Sequence, residues 1–141
     1  MAIGRHIPIT NELVFPAGAY AVGAVEQVVD FKASTREQRV QAHDRESGLP
    51  TWAISVFDAD PDARTKVVRV KISARTAPVL PQAPAGSPFP AVAFEGLTAT
   101  AYVDTSGSRP RIAWSFRATA VRTATPKAQV PQPLNRPESG G

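Results

Sequence analysis

Two short segments, TWAISVF at residues 51–57 and KVVRVKIS at residues 66–73, decide the fold of this chain. In the first segment Trp52, Ile54 and Val56 alternate with smaller residues, and in the second segment valines and isoleucine alternate with basic residues. This alternation is typical of β-strands with one buried face, because successive side chains of a strand lie on opposite sides. The acidic, proline-containing turn between the segments predicts that the two strands form a hairpin.

Three further segments are predicted to be strands, and no segment has a sustained helical period with caps. In one of them, Gly96 predicts a bulge that lets Phe94 and Leu97 both lie on the inner side. In the last one, Ile112, Trp114 and Phe116 are predicted to form the core-facing row. The segments are residues 20–31, 91–104 and 111–122.

These strands, three tight connections and one long connection predict an all-β fold, a small five- to six-stranded OB-like barrel. The long connection is a Pro-rich loop at residues 77–90, in the position where an OB-fold usually carries a helix. An immunoglobulin-like sandwich is the main alternative, but its seven strands are hard to find in this sequence. We predict a single domain over residues 1–123 and a disordered, Pro-rich tail over residues 124–141.

Composition narrows the class of protein. The chain has 141 residues and no cysteine, which excludes disulfides and thiolate metal sites. The longest apolar stretch, residues 17–25, contains two glycines and is too short to span a bilayer. The first residues do not resemble a signal peptide, so a soluble, cytoplasmic protein without a membrane partner is predicted.

Catalytic patterns are lacking. The two histidines, His6 and His43, have no metal-ligand spacing, and no nucleophile or phosphate-loop motif is present. Asp58, Asp60 and Asp62 could offer oxygens to a hard cation, but they lack the glycine and terminal glutamate of an EF-hand loop, which favours a solvated turn. We therefore predict no enzyme activity, no cofactor and no metal.

A basic stripe is the strongest candidate for a functional site. The net charge is +4, which favours polyanionic partners, although a GC-rich genome, in which arginine codons are abundant, would give the same surplus. If the last strand lies beside residues 66–73, basic side chains would follow a phosphate backbone and aromatic side chains would stack on bases. The alternative is the polar outer surface of any sheet. The predicted nucleic-acid-binding residues are Arg69, Lys71, Arg75, Arg111 and Arg117 for phosphates, with Tyr102 and Phe57 for bases.

Several short motifs, in their order along the chain, resemble a known family. They are SGLPTW at residues 47–52, VFDAD at 56–60, VKI at 70–72, FEGLT at 94–98 and FRAT at 116–119. Over about residues 7–122 the chain resembles actinobacterial plasmid replication, integration and excision activators. The resemblance implies a role in the replication or excision of a mobile element. It carries over no site residues.

The predicted function is therefore a non-catalytic nucleic-acid-binding accessory protein of a plasmid or integrative element. Single-stranded DNA is favoured, because the sequence has no helix-turn-helix to enter a major groove. Two alternatives stay open: a protein-interaction adaptor that joins replication or transfer proteins, and a transcriptional activator of mobile-element replication genes. An exposed strand edge would also allow a homo-oligomer.

Overall fold

The computed structural model describes residues 6–124, and these residues form almost only β-strands. The predicted tail lies outside the described residues except for Ala124, whose N–H donates to the carbonyl of Ala91 at 3.1 Å. The elements are β1 (Ile7–Pro8), α1 (Asn11–Val14), β2 (Ala19–Ala21), β3 (Glu26–Gln27), β4 (Thr51–Asp58), β5 (Val67–Ser73), β6 (Ala91–Glu95), β7 (Thr98–Asp104), β8 (Arg111–Ala118) and β9 (Ala120–Thr123).

The all-β class is confirmed, and the sheet is curled. The predicted count of five to six strands is wrong, because the described residues contain nine strands. The predicted strands at residues 91–104 and 111–122 are each divided by a corner. The predicted strand at residues 20–31 is too long, since only β2 and β3 form there, and the two-residue strand β1 is too short to give a sequence pattern. The OB-like architecture stays a prediction. Residues 77–90, the predicted Pro-rich loop, join β5 to β6 without forming a helix or strand.

The pairing of the strands brings distant parts of the chain side by side. The β4–β5 hairpin forms as predicted, with Ile54 opposite Val70. β5 also pairs with β8, in parallel, and β8 pairs with β7 in an antiparallel ladder. On the other side of β4, the short strand β2 pairs with both β4 and β6. β6 and β7 lie at opposite ends of this row of paired strands, and they are consecutive in the chain.

Gly96 makes the corner between β6 and β7. Its φ angle of +62° is one that residues with a β-carbon rarely adopt. Thr119 lies directly opposite and separates β8 from β9, and its N–H and hydroxyl donate to the carbonyl of Glu95 at 2.8 and 3.0 Å. The predicted bulge is confirmed, since Phe94 and Leu97 are both buried.

Alanine at Gly96 is expected to destabilise the fold by more than about 2 kcal/mol. The left-handed conformation costs a non-glycine residue about 1–2 kcal/mol, and the new β-carbon would also collide with the Thr119 side chain. Urea unfolding followed by tryptophan fluorescence measures the loss. Gly86→Ala is the matched control, because Gly86 has φ +82° and open space around it. Equal losses in the two variants would show that the contact with Thr119 has no effect.

The core lies on the inner face of the curled sheet. Ile54, Val56, Val70 and Ile72 are fully buried, as the alternation of β4 and β5 predicts. Phe15, which follows α1, packs against this cluster.

One predicted core row is wrong for two of its three members. Ile112 and Trp114 are 72% and 50% exposed, whereas Phe116 packs against the core. Ile112 is paired with Val103, which is also exposed, so the outer half of the β7–β8 hairpin extends past the core. Alternation marks which residues share a face, but it does not show where the opposing layer ends.

Candidate nucleic-acid interface

Strand register brings six of the seven predicted site residues onto one face of the sheet, opposite the core. We call it the outer face. Arg69 lies beside Ser55 of β4, and Lys71 lies beside Arg117 of β8 in the parallel pairing. Alternation then assigns the remaining members to the same face of their strands. They are Arg111 on β8, Tyr102 on β7 and Phe57 on β4.

Arg75 is the residue that pairing does not assign to this face. It lies in a bend two residues beyond the end of β5 and is exposed to solvent. The stripe therefore consists of Arg69, Lys71, Arg117 and Arg111 on two neighbouring strands.

The two aromatic residues occupy the same level of the outer face. Phe57 pairs with Val67, four residues before Lys71, and Tyr102 pairs with Ala113, four residues before Arg117. Four residues of strand span about 13 Å. The 42% exposed ring of Phe57 and the 50% exposed ring of Tyr102 thus belong to strand positions about 13 Å along the sheet from the Lys71–Arg117 pair.

Carboxylates accompany all three arginines of the stripe. Arg69 lies 3.9 Å from Glu26, Arg111 lies 3.6 Å from Asp104, and Arg117 lies 3.6 Å from Asp44. Exposed pairs of this kind contribute about 0–1 kcal/mol each, so they stabilise the fold little. They do lower the positive potential of the stripe.

The carboxylates that face the stripe come from other parts of the chain and leave no pattern next to the basic residues in the sequence. Glu26 belongs to a two-residue strand and Asp44 to a turn, so no periodicity links either one to the basic residues. Asp104 could have been found, because a hairpin centred on residues 105–110 puts it opposite Arg111.

Lys71 is the cation of the stripe that has no carboxylate within ion-pair distance among residues 6–124. It is half-buried, and burial together with the nearby charges of Arg117 and Arg69 lowers the pKa of its ammonium group. A partly buried cation with two cationic neighbours gains most from an added anion.

The turn that begins at Asp44 lies across a cleft from Lys71. The hydroxyl and N–H of Ser47 donate to Oδ2 of Asp44 at 2.8 and 3.2 Å, while Oδ1 of Asp44 faces Arg117. The Ser47 hydroxyl bond is the main cause that lowers the pKa of Asp44, and Arg117 adds to it, so the carboxylate is held ionised. Between turn and sheet lies a cleft of about 380 Å³, lined by Asp44, Ser47, Lys71, Thr98 and Arg117 among others.

Residues 6–124 contain no group of three or more histidine or acidic side chains arranged to hold a metal ion. None of their helices has the length and apolarity needed to cross a membrane.

The chain was compared with known proteins at the level of sequence and of structure. No family model, no curated protein and no solved structure matches it.

Proposed function

We propose that this protein is a non-catalytic, cytoplasmic nucleic-acid-binding protein that prefers single-stranded DNA. The observation that carries the proposal is the strand register, which gives one sheet face four cations and two half-exposed aromatic rings. Cations that follow a backbone and rings that stack on bases are the two components of single-strand binding. The proposed contacts are Arg69, Lys71, Arg111 and Arg117 with phosphates, and Tyr102 and Phe57 with bases.

An OB-like barrel is the proposed architecture. If β6 with β7 and β8 with β9 are each counted as one bent strand, the sheet has four long members and the three-residue strand β2, which together match the five strands of an OB-fold. In OB-folds the second and third strands and two adjoining loops bind oligonucleotides. The equivalents here are β4 and β5, the loop that contains Asp44, and the loop at residues 105–110.

The proposed biological role is that of an accessory protein in the replication, excision or transfer of a plasmid or integrative element. This part of the proposal rests on the family resemblance of the motifs between residues 47 and 119. Replication by rolling circle and conjugation both expose single strands, which fits the preference proposed for the outer face.

Fluorescence anisotropy with labelled single- and double-stranded oligonucleotides, at two salt concentrations, tests the proposal. We expect tighter binding of the single strand than of the duplex. The logarithm of the binding constant should fall as the logarithm of the salt concentration rises, with a slope of about −0.7 for each phosphate contact. Absence of binding to both oligonucleotides at about 50 mM salt would contradict the proposal.

Tyr102→Ala is expected to weaken single-strand binding by about 1–3 kcal/mol, because the variant loses one stacked base. The salt slope should stay unchanged, since no charge is removed. Val103→Ala is the matched control: Val103 is the next residue of β7, is also exposed and lies on the opposite face. Equal effects of the two variants would contradict stacking on the outer face.

A protein-interaction adaptor is the second candidate, and one observation favours it. Val103, Ile112 and Trp114 form an exposed apolar surface on the inner side of the β7–β8 hairpin, and such surfaces commonly bind proteins. This candidate would be supported if the protein did not bind oligonucleotides and if Ile112→Asp abolished its binding to a replication protein.

A further inference from the structure

The cleft beneath the Asp44 turn contains an uncompensated cation. Lys71 and Arg117 are neighbours in the parallel β5–β8 pairing, and both line the cleft. Arg117 has Asp44 as its partner, whereas Lys71 has no carboxylate within ion-pair distance among residues 6–124. The hydroxyls of Ser73 and Thr98 line the same cleft, and so does a second acidic residue, Glu46. Two cations with nearby hydroxyl donors are the chemistry that binds a phosphate group.

Asp44 occupies the position in which an anion would meet Arg117. Its Oδ2 is held by Ser47, and its Oδ1 lies 3.6 Å from Nη1 of Arg117, which is longer than a direct hydrogen bond. A guanidinium group binds a phosphate through two parallel hydrogen bonds, which is a stronger interaction than this loose ion pair. A phosphate that entered the cleft would therefore compete with Asp44 for Arg117.

We propose that this cleft is a phosphate subsite, in which Lys71 and Arg117 hold one phosphate group and Asp44 is the internal competitor that the phosphate displaces from Arg117. The inference rests on the proposed function in one respect, namely that the phosphate belongs to a nucleic-acid backbone. The Asp44–Arg117 pair then raises the phosphate concentration needed to fill the subsite, because a phosphate must displace Asp44 from Arg117 before it contacts both cations.

The variant Asp44→Asn tests the role of the competitor. Asparagine keeps an oxygen that accepts from Ser47, so the turn persists, and only the charge is removed. Single-strand affinity should rise roughly two- to fivefold at low salt, the amount that corresponds to an exposed ion pair. Asp62→Asn is the matched control, because it makes the same change in net charge in an exposed turn that has no ion pair in the described part of the chain. Equal gains in the two variants would overturn the competitor role.

A titration with inorganic phosphate separates the subsite from the proposed function. The readout is the NMR shift of the Arg117 side-chain N–H and the backbone amide of Lys71 in the full chain. Shifts that saturate, and that need less phosphate in Asp44→Asn, support the subsite. If phosphate binds but oligonucleotides do not, the proposed function fails and the subsite stands. If oligonucleotides bind without shifting either signal, the subsite is wrong and the proposed function stands.

Discussion

Replacing Phe15 with alanine is expected to lower the free energy of unfolding by about 3–5 kcal/mol, the usual cost of removing a buried aromatic ring. The ring is 1% exposed, and its centre lies 6.3 Å from the centre of the Phe94 ring. The cavity would open at the point where the N-terminal segment joins the sheet, since Asn11 of α1 also accepts a hydrogen bond from the N–H of Phe94.

Urea unfolding measures this loss, with Leu13→Ala as the control. Leu13 lies two residues earlier and is 71% exposed, so its removal should change stability by no more than about 0.5 kcal/mol. A loss for Phe15→Ala as small as that for Leu13→Ala would show that the N-terminal segment does not contribute to the core.

Charge reversal at Arg69 and Lys71 together is expected to weaken single-strand binding more than tenfold at about 0.1 M salt. Two proposed phosphate contacts are lost, so the logarithmic salt slope should fall by about 1.4. Neither side chain belongs to the core, and both lie on the outer face of β5, so the fold should persist. Anisotropy titrations at several salt concentrations give the affinity and the slope.

The control for this double variant is charge reversal at Arg64 and Arg122. Both residues are exposed, lie outside the stripe and outside the two proposed binding loops, and change the net charge by the same amount. If this control weakens binding as much as the reversal at Arg69 and Lys71, the effect comes from overall charge. Unchanged affinity and slope in the Arg69 and Lys71 variant would show that β5 is the wrong site.

The parts of the fold that could be predicted are those that depend on residues close together in the sequence. Alternation in β4 and β5 gave the buried face, and Gly96 gave the corner, because only glycine readily adopts its backbone conformation. The exposed ends of the β7–β8 hairpin could not be predicted in this way. Whether Ile112 and Trp114 are buried depends on a layer formed by residues far away in the chain.

In the candidate site too, local sequence predicted some residues, and the positions of others depend on the folded sheet. The prediction that basic residues share a face follows from strand period alone, once β5 and β8 are neighbours. The carboxylates Glu26 and Asp44 come from segments whose position depends on the folded sheet. The sequence therefore predicted a stripe without neighbouring carboxylates, whereas the structure places them beside two of its arginines. Arg75 lies just beyond the end of β5, as the sequence predicts, and therefore outside the pairing that places the other cations on one face.

The parallel pairing between β5 and β8 also sets the order in which the molecule can assemble. The β4–β5 and β7–β8 hairpins join residues close in the chain and can form early, whereas the β5–β8 pairing must wait until the Pro-rich loop and the second hairpin exist. Closing so long a loop is slow, since its entropy must be lost before any contact compensates. During ribosomal synthesis one edge of β5 therefore stays unsatisfied until residues 116–118 have emerged, and this interval is when the nascent chain is most exposed to wrong strand partners.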